Sequence, residues 1–295
     1  MQAMHKYLRQ GEPDFSVGYK LQTRWGPSEA VIFTLECAGA ALFAAATMAG
    51  EQASGMAVGM LLVALAIALL LRHLGHPGRA WMAIRNVRSS WISRGTLVLG
   101  GFVGLGVLYL LLRHAGGMDE TALVARILRW TLLGACAFIL IYPGLILSAS
   151  PAIPFWNSGL LPVFSAAGGA ASGVALLLAI APAPVPNTSL ARALPLTEIW
   201  LLAALAVVML IYLTLMLRRG AAAAESASYL LHGHAPLFVL GACVVGLALP
   251  MFLWLWNMKV GGDAGIAALA AALRLAGDLA LRHAFLKVGM FNPVV

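Results

Sequence analysis

ASGMAVGMLLVALAIALLL, residues 53–71, runs through nineteen positions without one charged side chain or proline. About 17–25 such residues are what a helix needs to cross the ~30 Å hydrocarbon layer of a bilayer. Seven further apolar segments of similar length lie at 29–50, 95–113, 127–147, 159–181, 195–217, 235–256 and 264–283. Composition agrees, since 61% hydrophobic and 10% charged residues with a mean hydropathy of +0.90 exclude a water-soluble domain. The segments are continuously apolar and rich in Leu and Ala, whereas strands of a membrane β-barrel alternate over about ten residues. The expected fold is therefore an all-α integral membrane protein, a bundle of about eight transmembrane helices.

The connections are short, and the expected organisation is simple. Residues 1–28 form an amino-terminal interfacial segment, 29–147 a first four-helix bundle with a polar loop at 72–94, and 148–295 a second four-helix bundle. Residues 1–28 also lack an apolar stretch of signal-peptide length, and no twin-arginine pair precedes the first span. Cys37, Cys136 and Cys243 all fall inside spans, with no CxxC spacing, and read as small packing residues. Gly100 and Gly104 read as a small-xxx-small helix contact in the third span. Trp81, Trp91 and Trp156 sit where interfacial anchors sit.

A net charge of +8 would suggest nucleic acid in a soluble protein, but in this chain it follows the membrane. Eight spans put both termini on one face. That face collects thirteen cations, namely Lys6, Arg9, Lys20, Arg24, Arg72, Arg79, Arg85, Arg88, Arg94, Arg218, Arg219, Arg282 and Lys287. The other has Arg113, Arg126, Arg129, Arg192 and Lys259. By the positive-inside rule the termini are expected in the cytoplasm, the protein being multi-pass in a bacterial or archaeal cytoplasmic membrane.

Chemistry is to be sought among the ionisable residues that the bilayer penalises. Glu36 lies in the first span. Arg274, Asp278 and Arg282 follow at i, i+4 and i+8 in the last, one helical stripe on which arginine, aspartate and arginine can pair as a structural ion ladder. His73, at the end of the second span, shares a membrane level with Glu36 and Tyr142, each within roughly 10–12 Å of the boundary at 1.5 Å rise per residue. A carboxylate, an imidazole and a phenol lining one pocket suit a quinone, whose carbonyls need hydrogen-bond donors and whose quinol form needs a base to take its protons. A diheme cytochrome is disfavoured because every histidine is at or near a span end.

The run His73-Leu74-Gly75-x-Pro77-x-Arg79-Ala80-Trp81, followed by Asn86, Ser90-Trp91 and Ser93, resembles the loop after the second helix in membrane anchors of the polysulfide reductase and dimethyl sulfoxide reductase type (NrfD/DmsC-like). The resemblance extends to Tyr142-x-Gly144, Pro154-Phe155-Trp156-Asn157, Leu161-Pro162 and Gly277-Asp278-x-x-x-Arg282, and so covers essentially the whole chain. It implies a subunit without heme or metal of its own that is not by itself catalytic for the substrate of its complex. Such an anchor exchanges electrons between a quinone, menaquinone or ubiquinone, and a four-cluster iron–sulfur subunit that serves a molybdenum or tungsten bis-pterin catalytic subunit. On this resemblance His73 and Tyr142 match quinone-contacting residues. Glu36 joins them by depth alone, and Arg79 by its place in the loop. Arg85, Arg88, Arg94, Trp81 and Trp91 are then candidates for docking the partner. One position departs from the pattern: the family often has Glu after the serines, where this chain has Gly95. The competing expectation is a transporter or proton-conducting subunit using Glu36, Arg274 and Asp278 as a relay, although no inverted repeat or clearly broken helix is visible.

Overall fold

The computed structural model describes residues 19–72, 76–119, 121–180 and 189–292. Eight helices in it are long and apolar enough to cross a membrane. They are α1 (Pro27–Met48), α2 (Ala53–Arg72), α3 (Trp91–His114), α4 (Leu123–Ser148), α5 (Leu160–Ile180), α6 (Ser189–Arg218), α8 (Pro236–Lys259) and α9 (Ala264–Lys287), with a short α7 (Ala221–His232) between the sixth and seventh. Local chemistry starts several of them. The Gly26 N–H donates to the Glu29 carboxylate at 2.7 Å ahead of Pro27, Ser90 accepts from the Ser93 N–H at 3.3 Å, and Asp263 accepts from the Ile266 N–H at 2.9 Å.

Two boundaries differ from expectation. Helix α3 begins at Trp91 rather than 95, so Trp91 and Arg94 belong to its first turn and not to the preceding loop. Residues 221–232, expected to be a connector, form α7, because four consecutive alanines favour helix even where twelve residues are too few to span. Within that loop, Pro77–Asn86 winds as a tight i→i+3 helix.

Both described ends of the chain meet on one face. Lys20–Leu21 (β1) pairs antiparallel with Met290–Phe291 (β2), and the Gln22 amide donates to the Leu286 and Trp25 carbonyls at 2.6 and 2.8 Å. This lid covers Trp156, which is only 3% exposed and whose indole N–H donates to the Phe285 carbonyl at 3.0 Å. Its ring lies 6.0 Å from that of Trp25. Trp156 is therefore a buried strut under the termini, not an interfacial anchor.

Helix α1 is central and packs on α2, α4, α5 and α9. Glycines permit the closest crossings. A Cβ on Gly277 of α9 would run into the Gly246 backbone of α8, and one on Gly144 of α4 into the Leu161–Pro162 backbone of α5. These are the glycines of the quoted motifs. Gly100 and Gly104 differ from expectation, for a Cβ on either meets nothing within 4 Å. Their pair faces outward from α3, so the small-xxx-small spacing serves no contact with the described residues. Gly277→Val is expected to lower stability by about 1–3 kcal/mol through overpacking, and Gly104→Val to leave it unchanged. Thermal unfolding of the two variants in detergent checks the contrast.

Candidate functional site

Glu36 of α1 and Tyr142 of α4 lie within electrostatic reach of each other. Glu36 is buried, and its Oε1 has no hydrogen-bond partner among the described residues. The phenol ring stacks on Phe138 at 5.8 Å and lies directly on Gly95 of α3, where any side chain would overlap its Cζ, Cε2 and hydroxyl. The departure at Gly95 thus has a physical counterpart: the space of a side chain at 95 is filled by Tyr142. Next to this pair, Ser165, Arg282, Phe33 and Gly144 line a cavity of about 30 Å³. That is room for about one water, not for a quinone ring.

The ladder on α9 has defined geometry. Asp278 accepts from Arg274 Nη2 at 3.0 Å and from Arg282 Nε at 2.8 Å, with all three side chains buried. Arg274 also donates to the carbonyls of Gly246 at 2.7 Å and Gly168 at 3.3 Å, and Arg282 donates to the Ser165 hydroxyl at 3.3 Å. The Gly246 carbonyl is available because Pro250, four residues on, has no N–H to donate to it, and the first half of α8, Pro236–Ala248, is wound with i→i+5 hydrogen bonds before reverting to α-helix at Leu249. Such widened turns shift carbonyls out of the regular ladder and recur at functional sites. Pro250 marks the place in the sequence, and the winding changes just before it.

Two further carboxylates approach the ladder from other helices. Glu36 lies within electrostatic reach of Arg282, and Glu198 of α6 within reach of Arg274. Glu198 is 0% exposed, and neither of its oxygens has a hydrogen-bond partner among the described residues. Sequence reasoning missed it because the sixth span was begun at 195, which makes Glu198 look like an end residue. The helix begins at Ser189, and a carboxylate well inside a span is the signal that would have found it.

The remaining sequence candidates are dispersed. His73 lies outside the described residues. Arg79, Arg85, Arg88 and Trp81 are exposed on or just after the tight helix 77–86, Trp81 at 60%. No hydrogen bond or ion pair among the described residues joins Arg79 to Glu36 or Tyr142. Arg94 is committed locally, donating to the Val87 and Arg88 carbonyls at 2.9 and 2.7 Å and stacking 4.5 Å above Trp91. It ties the loop to α3. Outside the membrane, His234 sits edge-on to Tyr229, and burial with the nearby charges of His283 and Lys287 holds its imidazole below the usual histidine range. No three His, Cys, Asp or Glu among the described residues gather as metal ligands.

One family profile, described as polysulphide reductase, NrfD, matches residues 25–293. The chain belongs to the NrfD family. Its eight membrane-crossing helices, the loop between α2 and α3 and the Gly277–Arg282 stretch of α9 all fall inside the matched range. Comparison with curated proteins gives no match.

Proposed function

We propose that this NrfD-family chain is the membrane anchor and quinone-reactive subunit of a multisubunit molybdenum or tungsten oxidoreductase. It passes electrons between the quinone pool and a partner iron–sulfur subunit docked on the face that carries the termini, which the cation bias assigns to the cytoplasm. The observation that carries the reading is a buried carboxylate with an unpartnered oxygen, Glu36, within electrostatic reach of the Tyr142 phenol, which itself lies on Gly95 in the second turn of α3, just past the cationic loop.

The chemistry is that of a quinol losing two electrons and two protons. The Tyr142 hydroxyl hydrogen-bonds a ring oxygen, the free Glu36 oxygen takes one proton, the second leaves through a water in the adjoining cavity, and the two electrons pass to the iron–sulfur partner. For quinone reduction the same groups work in reverse. Because the adjoining cavity holds only about one water, headgroup binding requires the side chains around Glu36 and Tyr142 to part. Exposed Arg79, Arg85, Arg88 and Trp81 then serve docking, whereas Arg94 and Trp91 shape the loop that presents them.

Gentle purification of the tagged chain from its native membrane, followed by identification of co-purifying subunits and assay of quinol-linked cluster reduction, tests this. The expected result is recovery of iron–sulfur and molybdenum or tungsten subunits, with reduction abolished by His73→Ala while the assembly survives. A chain that purifies alone and carries no quinone would overturn it.

One observation favours a second reading, proton conduction. Three carboxyls, Glu36, Asp278 and Glu198, share the interior with two guanidiniums, Arg274 and Arg282. Neutrality then places one proton on the set. From Arg282 to Arg274 the ladder climbs about 12 Å along α9, and Glu198 extends it toward the opposite face. Proton flux into vesicles containing this chain alone, abolished by Glu198→Gln, would favour this reading over the first.

A further inference from the structure

A second polar cluster lies at the face opposite the termini, outside everything assigned above. Glu51, in the α1–α2 turn with a left-handed φ of 55°, accepts from the Tyr109 hydroxyl at 2.5 Å and from Arg113 at 2.5 and 2.8 Å. Arg113 is also bound to the Met118 carbonyl and so closes the α3–α4 connection. Arg129 of α4 is the second cation of the cluster. It reaches Glu51 only at 3.8 Å, and its Nε has no hydrogen-bond partner among the described residues. Glu51 therefore faces two guanidiniums, with Asp119 also within electrostatic reach of Arg113. Arg113 is saturated, whereas Arg129 is held only loosely.

Arg129 stands at the mouth of a groove between α1 and α4. The groove holds about 340 Å³ and is walled by Ala44 and Met48 from α1 and by Leu133, Ala137 and Leu140 from α4. Trp130, 69% exposed, stands beside the arginine, and Met48 and Ala137 are exposed as well, so the groove opens sideways into the lipid. Arg129 lies about 9 Å down α4 from its start at Leu123, a depth from which an arginine reaches back to the headgroup layer. Along α4 from Arg129 to Leu140 the trough is about 16 Å long and wholly apolar below the guanidinium.

We propose that this groove is a binding site for an anionic phospholipid of the leaflet opposite the termini. The phosphate pairs with Arg129, and one acyl chain lies between Ala44 and Met48 on one side and Leu133, Ala137 and Leu140 on the other. Charge complementarity selects the occupant. A neutral isoprenoid tail would fill the trough equally well but would leave the loosely paired Arg129 guanidinium without an anion at hydrogen-bond distance in a region of low dielectric. Trp130 supplies the amphipathic ring that belongs at headgroup level.

The test uses the full-length chain in detergent, given equimolar phosphatidylglycerol and phosphatidylcholine, with retained lipid counted by native mass spectrometry. The wild type is expected to keep one phosphatidylglycerol with about fivefold preference over phosphatidylcholine, whose phosphate is offset by its own choline cation, the ratio for about 1 kcal/mol between one arginine and a headgroup of net negative charge. Arg129→Gln should lose that one lipid, and Arg129→Lys should keep most of it. Ala137→Trp, which leaves the arginine in place and fills the trough, should lose it too. Equal retention by wild type and Arg129→Gln, no preference in the wild type, or a neutral quinone in place of the phospholipid would each overturn the proposal. If Arg129→Gln fails to accumulate, unchanged retention in Ala137→Trp overturns it alone.

Discussion

Asp278→Asn is expected to remove most of the protein from the membrane. In the wild type this one carboxylate accepts from two buried guanidiniums, at 3.0 Å from Arg274 and 2.8 Å from Arg282. Asparagine keeps the shape and loses the charge, leaving two guanidiniums in the bundle interior whose other hydrogen bonds go to neutral carbonyls and one serine hydroxyl, with Glu36 and Glu198 within electrostatic reach but not hydrogen-bonded to them. Breaking a buried pair from one side typically costs about 3–5 kcal/mol, because the orphaned charge remains desolvated. Here two guanidiniums lose their hydrogen-bonded carboxylate at once, and whole-protein stabilities are commonly only about 5–15 kcal/mol. Accumulation measured by quantitative immunoblot of membranes, and thermal unfolding of whatever survives, check this. Arg274→Met, Asp278→Leu and Arg282→Met combined should restore accumulation, since replacing a hydrogen-bonded buried ion set by apolar groups of similar volume is often neutral or stabilising. Glu36 and Glu198, left without cations, take up protons rather than stay charged in the interior. That triple variant then separates roles. If it assembles and still supports quinol-linked electron transfer, the ladder is structural. If it assembles and does not, the ladder takes part in handling charge.

The spans were legible because a bilayer imposes a length and forbids charge, so a run such as 53–71 has only one reading. The i, i+4, i+8 stripe of α9 was legible for a related reason, since helical geometry fixes which side chains meet. What stayed hidden depends on partners remote in sequence. Nothing near Lys20 announces that it will pair with Phe291, and without that lid Trp156 looks like any aromatic at a helix end. Gly100 and Gly104 have the same spacing as a packing motif, but spacing cannot say which face of a helix meets protein and which meets lipid. Glu198 was lost to a boundary error of a few residues, and the widened winding of α8 has no residue signature within the run PLFVLGACVVGLA, only Pro250 just beyond it. Of the candidate site, Glu36 of α1 and Tyr142 of α4 lie within electrostatic reach of each other, while Arg79 lies apart on the loop surface and His73 falls outside the described residues.

Glu36→Gln is expected to cut quinol-linked electron transfer by about a hundredfold or more, the usual range for losing a positioned proton acceptor, with normal accumulation in the membrane. Glutamine matches the carboxylate in size, and because Oε1 already lacks a partner, no hydrogen bond at that atom is forfeited. Tyr142→Phe removes only a hydroxyl donor to the ring oxygen, so a loss nearer fivefold is expected, corresponding to one hydrogen bond of about 1 kcal/mol. Gly95→Ala separates geometry from proton chemistry. Its methyl group would occupy the place of the Tyr142 phenol and push the ring off α3 without touching Glu36. It should therefore raise the quinol concentration needed for half-maximal rate while leaving the maximal rate closer to wild type, and Gly95→Ala with Tyr142→Leu should recover accumulation if the single change lowers it. Steady-state assay of the intact complex over a range of quinol concentrations distinguishes these cases. A Glu36→Gln complex that turns over at the wild-type rate would remove Glu36 from the proton path and leave its buried carboxylate to balance Arg282 alone.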